Sequence, residues 1–179
     1  MGKGEAQSGE RQRNLWAPWR MEYIDALNDG DESCFLCRYR DEPENDQANL
    51  VLWRGQKSFV MMNRFPYTGG HSMIAPYEHQ AGLADLADQT LTEMVRFVRD
   101  LESLLSEALN AEGFNVGLNV GRCAGAGLPG HLHAHVVPRW PGDTNFVTVL
   151  GGVRVIPQSL QETWTLLRET SQELNLPRL

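Results

Sequence analysis

Three of the chain's five histidines occupy alternate positions, His131, His133 and His135, within the segment HLHAHVV. The apolar residues between them indicate a β-strand, in which alternate side chains project from one face about 6.6–7 Å apart. A row of titratable rings is costly to bury without partners. The pattern therefore indicates a metal site or a catalytic site, and a surface accident is the weaker alternative.

Two chemistries fit this row of histidines. Two histidines spaced two residues apart on a strand can share one zinc ion, because neutral imidazole is a common metal ligand, but a third ring reaches the same ion less easily. Alternatively, the central imidazole attacks phosphorus and leaves again, which divides one difficult substitution into two easier steps. The loop GRCAGAGLPG before the strand could then offer backbone N–H groups to a phosphate.

A second candidate site is the Cys34-x-x-Cys37 pair. The pair could be two buried core thiols, a redox pair or part of a structural zinc site. A redox pair normally opens a helix after a strand in a βαβ unit, which the flanking residues do not indicate. The third cysteine, Cys123, has no predicted role beyond packing in its loop.

The whole-chain composition limits the classes of protein to be considered. With 179 residues, 41% of them hydrophobic, the chain is long enough for one domain with one core. A formal charge of −7 argues against binding to nucleic acid or to an anionic membrane, and no apolar run is long enough to span one. Residues 1–13 are polar and carry no secretory signal, and the cysteine usage fits a reducing compartment, so we expect a cytoplasmic protein.

The strands that must position these residues follow from turn residues and alternation. We expect residues 1–13 to be a disordered tail and residues 15–24, LWAPWRMEYI, to be a strap packed on the core or on a second subunit. Residues 49–66 predict two strands with a turn at Arg54–Gly55, and a third strand ends at Pro76. Residues 114–121 alternate large apolar residues with Gly and Asn, which predicts a strand with one buried and one bare face.

Two helices complete the prediction. Apolar residues at positions 91, 94, 95, 98, 101, 104, 105 and 109 predict a long helix, with a capping box at Thr90-x-x-Glu93 and with Gly113 shortly past its end. A second capping box, Ser159-x-x-Glu162, predicts a C-terminal helix reaching about Asn175. Together these elements predict an α+β domain, an antiparallel sheet with helices beside it.

The motif His131-Leu-His133-Ala-His135-Val-Val resembles the His-φ-His-φ-His-φ-φ signature of the histidine triad (HIT) superfamily. The resemblance extends over FVMMNRFPYTGGHSMIAPYEH, FNVGLNVG and the glycine-rich loop, about residues 50–140. The segments LWAPWRMEYI and HVVPRWPGDTNF resemble the bacterial diadenosine tetraphosphate phosphorylase branch. It implies a HIT-like fold over residues 14–179, with an N-terminal strap and zinc knuckle (14–49), a core (50–140) and a C-terminal extension (141–179). It also implies a homodimer formed through the long helix and the sheet, with the apolar face at Leu101, Leu104 and Leu105 available for it.

The resemblance also assigns roles to individual residues. His133 would be the nucleophile that forms a nucleotidyl–histidine intermediate, with His135 and His71 completing the cluster around the α-phosphate. The substrate contacts would be Asn63 at the ribose, Phe59 and Met61 or Met62 near the base, Trp140 near the polyphosphate, and Asn119, Gly125, Ala126 and Gly127 at the phosphates. Structural zinc would be held by Cys34, Cys37, His79 and His131.

The implied activity is that of an enzyme that transfers a nucleotidyl group from dinucleoside polyphosphates. Two residues depart from the family pattern: Ala134 is small where hydrolase branches usually carry a larger apolar residue, and Leu128 stands where phosphorylases of this branch have a hydroxyl residue that helps to receive inorganic phosphate. With water as the acceptor the protein would instead be a hydrolase of dinucleoside polyphosphates or nucleoside phosphoramidates. Two further alternatives are a nucleotide-binding protein with weak catalysis and a metal-dependent enzyme that uses the histidine row as ligands.

Overall fold

The fold is built on a five-stranded sheet in which all neighbouring strands are antiparallel, in the order β1-β2-β3-β5-β4. The computed structural model describes residues 34–144 and 158–179, so the predicted tail and strap lie outside it. The strands are β1 (Val51–Arg54), β2 (Ser58–Met62), β3 (Ser72–Pro76), β4 (Gly113–Leu118) and β5 (Ala134–Arg139). The helices are α1 (Phe35–Asp41), α2 (Asp88–Leu109) and α3 (Leu160–Glu173). The predicted α+β class with a long and a C-terminal helix is confirmed.

The two faces of the sheet carry different layers. Helices α2 and α3 pack on one face, over Val60, Met62 and Ile74, and we call this the helix face. The opposite face carries α1, whose Leu36 and Tyr39 pack with Phe59, Met61 and Met73. Because strand side chains alternate, Met61 and not Met62 shares a face with Phe59. Leu101, Leu104 and Leu105 are fully buried in the core of this chain, so they are not available as an interface.

The predicted capping box of the long helix is wrong. The helix begins at Asp88, and Thr90 lies buried in its first turn, where its hydroxyl donates to the carboxylate of Glu78. The carboxylate of Glu93 accepts hydrogen bonds from the turn between β1 and β2 instead. The helix ends with Asn110 in the left-handed conformation (φ 52°), a usual way to end a helix.

The C-terminal helix follows its sequence prediction closely. Ser159 Oγ accepts from the backbone N–H of Glu162 at 3.2 Å, and the Glu162 carboxylate accepts from Ser159 N–H at 3.1 Å, so both halves of the capping box are present. The helix then packs beside β1, where Trp164 Nε1–H donates to the carbonyl of Val51 at 2.9 Å and Arg168 donates to the carbonyl of Leu52.

The histidine segment departs from the expected regular strand. β5 begins at Ala134, so His131 and His133 precede it and only His135 belongs to the ladder. Leu132 N–H donates to the carbonyl of Gln80 at 2.7 Å, outside the sheet. The expectation of three rings in a row on one strand face is therefore wrong, and the contacts given below show that the rings serve different clusters.

The second departure concerns β4, which lies at an edge of the sheet. Val116 and Leu118 are 46% and 40% exposed, so the strand face predicted to be buried is open in the single chain. The alternation of apolar and small residues predicts which side chains share a face of the strand, but not whether another element covers that face. Among the helices that the structure describes, none combines the length and the apolar character needed to cross a membrane.

Candidate active site and metal cluster

His133 is buried, with 6% of its surface exposed, and it is held by the backbone of a neighbouring histidine. Its Nδ1 lies 2.9 Å from the carbonyl oxygen of His131. A carbonyl only accepts, so Nδ1 carries the proton and Nε2 presents a lone pair. Burial lowers the pKa of His133, against an opposing effect of that hydrogen bond. The ring is therefore neutral near neutral pH, which is the form that can attack phosphorus.

His71 and His135 form a second hydrogen-bonded unit. The backbone N–H of Tyr67 donates to Nδ1 of the fully buried His71 at 3.1 Å, and His71 Nε2 lies 3.0 Å from Nδ1 of His135. Because His71 accepts at Nδ1, its proton is on Nε2 and is donated to His135, which then carries its own proton on Nε2. The rings of His133 and His135 meet edge to face with centroids 4.9 Å apart. A lone pair and an N–H donor thus lie on neighbouring rings.

Tyr67 belongs to this unit, although the sequence analysis did not single it out. Its ring centroid lies 4.6 Å from that of His71 and 6.2 Å from that of His135. The only signal in the sequence is its position in the short segment between Asn63 and His71, which does not show that the chain turns its amide onto the His71 ring.

Of the two predicted asparagines, Asn63 contacts a histidine directly, and Asn119 follows the end of β4 that pairs with the histidine segment. Asn63 Nδ2 is 3.4 Å from His71 Nδ1, and Asn63 Oδ1 accepts from the backbone N–H of Phe65 at 2.9 Å. Asn119 is half-buried directly after β4, two residues beyond Gly117, which pairs with His135 in the sheet. Because Gly117 has no side chain, none at this position lies between His135 and the segment that carries Asn119.

The glycine-rich loop offers fewer free amides than its composition indicates. The N–H groups of Gly125 and Ala126 donate to carbonyls within the loop, at 2.9 and 3.4 Å. Of the three predicted phosphate contacts in this loop, Gly127 alone has an amide without a hydrogen-bond partner in the part of the chain that the structure describes. Leu128 packs against the apolar cluster around Phe59.

Trp140 lies away from the histidines. Its indole Nε1–H donates to the carbonyl of Leu109 at 3.0 Å, and its ring packs against the core on the helix face. His135 pairs with Met73, whose side chain belongs to the opposite face. Within one chain the structure does not bring Trp140 to the other site residues, and its role at a polyphosphate stays a prediction.

Cys34, Cys37, His79 and His131 form a compact cluster, with one donor atom from each lying within 4.8 Å of the others. His131 Nδ1 is 3.2 Å from Cys34 Sγ and 3.6 Å from Cys37 Sγ, and His79 Nδ1 is 3.2 Å from Cys37 Sγ. The structure thus brings together the four residues that the resemblance names as zinc ligands, with Cys34 and His131 separated by 97 positions in the sequence.

The donor set fits a structural zinc ion. Two thiolates and two imidazoles are a common tetrahedral set for that metal. His131 Nε2 is 2.9 Å from the carbonyl oxygen of Pro76, so it donates there and leaves Nδ1 free to ligate, as ligating histidines do. Burial lowers the pKa of His131 to about 4 and raises that of the Cys34 thiol to about 11. Cys34 Sγ and Cys37 Sγ both lie next to His131 Nδ1, and cysteine sulfur is a usual zinc ligand, so the geometry of the pair fits metal ligation.

Comparison with known proteins identifies the family to which the chain belongs, in agreement with these contacts. The HIT domain profile matches residues 44–142, more than half of the chain. The chain is 39% identical over 170 residues to the AP-4-A phosphorylase of Mycobacterium tuberculosis, covering 92% of this chain and 87% of that protein. It belongs to the HIT domain family and is an enzyme of that family, as the motif predicted.

Two further relatives extend the comparison. The chain is 26% identical over 107 residues to the adenosine 5'-monophosphoramidase of Schizosaccharomyces pombe, which is 60% of this chain and 74% of that one. Its fold superposes on a Zn-bound histidine triad family protein from Mycobacterium smegmatis with a TM-score of 0.65 and 27% identity, over 82% of this chain and 98% of that structure.

Proposed function

We propose that the protein cleaves dinucleoside polyphosphates, diadenosine tetraphosphate among them, at the phosphorus atom next to a ribose. The observation that carries the proposal is the hydrogen bond from His133 Nδ1–H to the carbonyl of His131, which leaves the Nε2 lone pair available in a neutral, buried ring. The likeness to the AP-4-A phosphorylase of M. tuberculosis over most of both chains supports this substrate class.

The reaction has two steps. His133 Nε2 attacks the α-phosphorus, so that a P–N bond forms while the P–O bond to the rest of the phosphate chain breaks. His135 supports this step with its Nε2–H, which can donate to the departing or non-bridging oxygen, and His71 holds His135 in that tautomer. An acceptor oxygen then attacks phosphorus, the P–N bond breaks and His133 recovers its lone pair.

The remaining contacts concern the ribose, the base and the phosphates of the substrate. Asn63 lies against His71 and is suited to the ribose hydroxyls. Phe59 and Met61 are fully buried against α1, so their contact with the base stays a prediction from the resemblance. Asn119 and the amide of Gly127 are the phosphate contacts that the geometry favours. Gly125 and Ala126 support the loop through their internal hydrogen bonds.

The acceptor decides between two enzymes. With inorganic phosphate, diadenosine tetraphosphate gives ATP and ADP, and with water it gives ATP and AMP. Leu128 favours the second case, hydrolysis, because it packs in an apolar cluster and supplies no hydroxyl group. We retain phosphorolysis as the first proposal because the phosphorylase relative matches the chain over far more of its length than the phosphoramidase does.

Product analysis with and without inorganic phosphate tests both. We expect ATP and ADP only when phosphate is present and no product from His133→Ala, which should still bind ADP. ATP and AMP regardless of phosphate would identify a hydrolase. Nucleotide binding without cleavage by the wild-type protein would leave a nucleotide-binding protein, contrary to the proposal.

We assign a structural zinc ion to Cys34, Cys37, His79 and His131. When bound, it ties α1 and the segment after β3 to the start of the histidine segment. Metal analysis tests this assignment: we expect about one zinc per chain, lost in Cys34→Ser and kept in His133→Ala. The reverse pattern would indicate a metal centre in the histidine row.

The assembly and the location belong to the same proposal. The open β4 edge with Val116, Leu118 and Val120, and the 68% exposed Val95 of α2, support a homodimer formed through the sheet and the long helix. We propose that the HIT domain covers residues 14–179, of which the structure describes 34–144 and 158–179. The three cysteines are free thiols, which supports the cytoplasm as the compartment.

A further inference from the structure

We infer that the cluster of Cys34, Cys37, His79 and His131 is a positioning element for the nucleophile as well as a structural anchor. Through His131 the occupied cluster holds the carbonyl group that keeps the proton on His133 Nδ1 and the lone pair on Nε2. The inference rests on the proposed role of His133 and adds a dependence of that role on the metal.

The link consists of one residue. The ring of His131 is held at both nitrogens, by the two sulfurs at Nδ1 and by the carbonyl of Pro76 at Nε2. The backbone carbonyl of the same residue accepts the Nδ1–H of His133 at 2.9 Å. The only partner that this structure gives to His133 Nδ1 is therefore attached to a metal ligand.

The carbonyl of His131 has few other restraints. His131 lies three residues before β5, so the sheet ladder does not fix it. Apart from the side chain, two backbone hydrogen bonds restrain this segment: His131 N–H donates to the carbonyl of Leu128 at 3.4 Å, and Leu132 N–H donates to the carbonyl of Gln80 at 2.7 Å. Gln80 directly follows His79, which is itself a cluster ligand and is exposed to solvent. The His131 side chain and the shorter of these two hydrogen bonds thus both pass through residues that the metal ties together.

Two of the proposed substrate contacts, Asn63 and Asn119, lie on other elements, whereas Gly127 belongs to the loop before His131. Asn63 follows β2 and is bonded to His71, and Asn119 follows β4, so neither depends directly on the cluster. Loss of the metal should therefore change the orientation and tautomer of His133 and leave nucleotide binding nearly intact. Removal of residues that support an active group in this indirect way typically costs about 10–100-fold in activity.

The first experiment compares the zinc-loaded, chelator-treated and zinc-reloaded wild-type protein. Nitrogen-15 NMR of labelled histidine reports the tautomer of His133, assigned by its disappearance in His133→Ala. We expect a single Nδ1–H tautomer with zinc, a mixture of tautomers without it, a kcat reduced about 10–100-fold with KM changed less than about threefold, and recovery on reloading. An unchanged His133 tautomer in protein shown to be metal-free would overturn the inference, as would an unchanged kcat.

The second experiment uses Cys37→Ser, with Cys123→Ser as the matched control. Cys123 is an exposed free thiol outside the cluster, so its replacement should leave zinc content, tautomer and kcat as in the wild type. Cys37→Ser should reproduce the chelated state. If chelation and Cys37→Ser instead abolish cooperative unfolding and nucleotide binding together, the cluster serves the whole fold and the inference fails. If the zinc-loaded protein cleaves no dinucleotide, the proposed function fails, while the NMR comparison still decides the link between cluster and His133.

Discussion

Replacing Glu93 by glutamine should destabilise the protein through the turn between β1 and β2. The carboxylate accepts from the backbone N–H groups of Gln56, Lys57 and Ser58 at 3.1, 2.9 and 2.8 Å and from the Ser58 hydroxyl at 2.7 Å. Glutamine keeps one acceptor oxygen but turns an NH₂ group towards a backbone donor. Hydrogen bonds to a charged group contribute about 1.5–3 kcal/mol, and water can replace part of that at this partly exposed site, so we expect a net loss of about 2 kcal/mol.

The pH dependence separates this charge effect from a general loss of packing. Burial raises the pKa of Glu93, but the hydrogen bonds from Ser58 and the turn amides outweigh it, so the pKa lies below its ordinary value. A lowered pKa in the folded state stabilises above the unfolded pKa, and the effect is lost as the pH falls through the folded pKa. The difference between wild type and Glu93→Gln should therefore be complete near neutrality and shrink below about pH 4.

The assay is urea denaturation at neutral pH and again below about pH 4, with Glu107→Gln as the control. Glu107 is exposed on the same helix, and the structure gives it no hydrogen-bond partner, so its replacement should change the free energy of unfolding by less than about 0.5 kcal/mol. At neutral pH, Glu93→Gln should lower Tm by about 4–8 °C. An equal destabilisation in acid, or none at neutrality, would refute the argument from the carboxylate.

Two further predictions concern other parts of the chain. Leu118→Asp places a charge on the open edge and should convert the proposed homodimer into monomers in sedimentation. Leu83→Asp, at a similarly exposed leucine elsewhere, should keep the wild-type mass. A dimeric Leu118→Asp, or a monomeric wild type, would contradict the proposed interface. Asp100→Asn should lower the free energy of unfolding in urea by about 1–3 kcal/mol. The reason is that the buried Asp100 carboxylate accepts from Arg178 N–H at 2.7 Å and from Arg99 Nε–H at 2.9 Å. An unchanged urea midpoint would show that Asp100 does not hold the C-terminal segment.

The fold was predictable wherever the signal was local. The capping box at Ser159 and Glu162 formed as predicted, since both partners lie within one helical turn. The equivalent pattern at Thr90 and Glu93 did not form, because a turn 35 residues away in sequence supplied better donors to the carboxylate. Helix α1 was missed, because its seven residues are too few for an apolar period to be recognised.

The sequence named many of the residues that the structure brings together at the candidate site, but not Tyr67, and it also named Trp140, which lies elsewhere in the single chain. Motif spacing and resemblance together named His71, His133 and His135 and separated His131 as a metal ligand. They could not show that β5 begins only at Ala134, or that the amide of Tyr67 fixes the tautomer of His71, because backbone hydrogen bonds across the fold leave no trace in residue types. The same reason explains the glycine loop, where composition indicated free amides that the folded loop uses internally.

The two edges of the sheet differ in whether another element covers them, and this difference limits how copies of the chain can assemble. At the β1 edge, Trp164 and Arg168 of α3 donate to the carbonyls of Val51 and Leu52, so the groups that would recruit another strand are already used. The β4 edge has no such cover among the described residues. A sheet that can be extended on one side only accepts a single further copy, so association through β4 closes as a two-fold pair and cannot propagate into a ribbon or fibre.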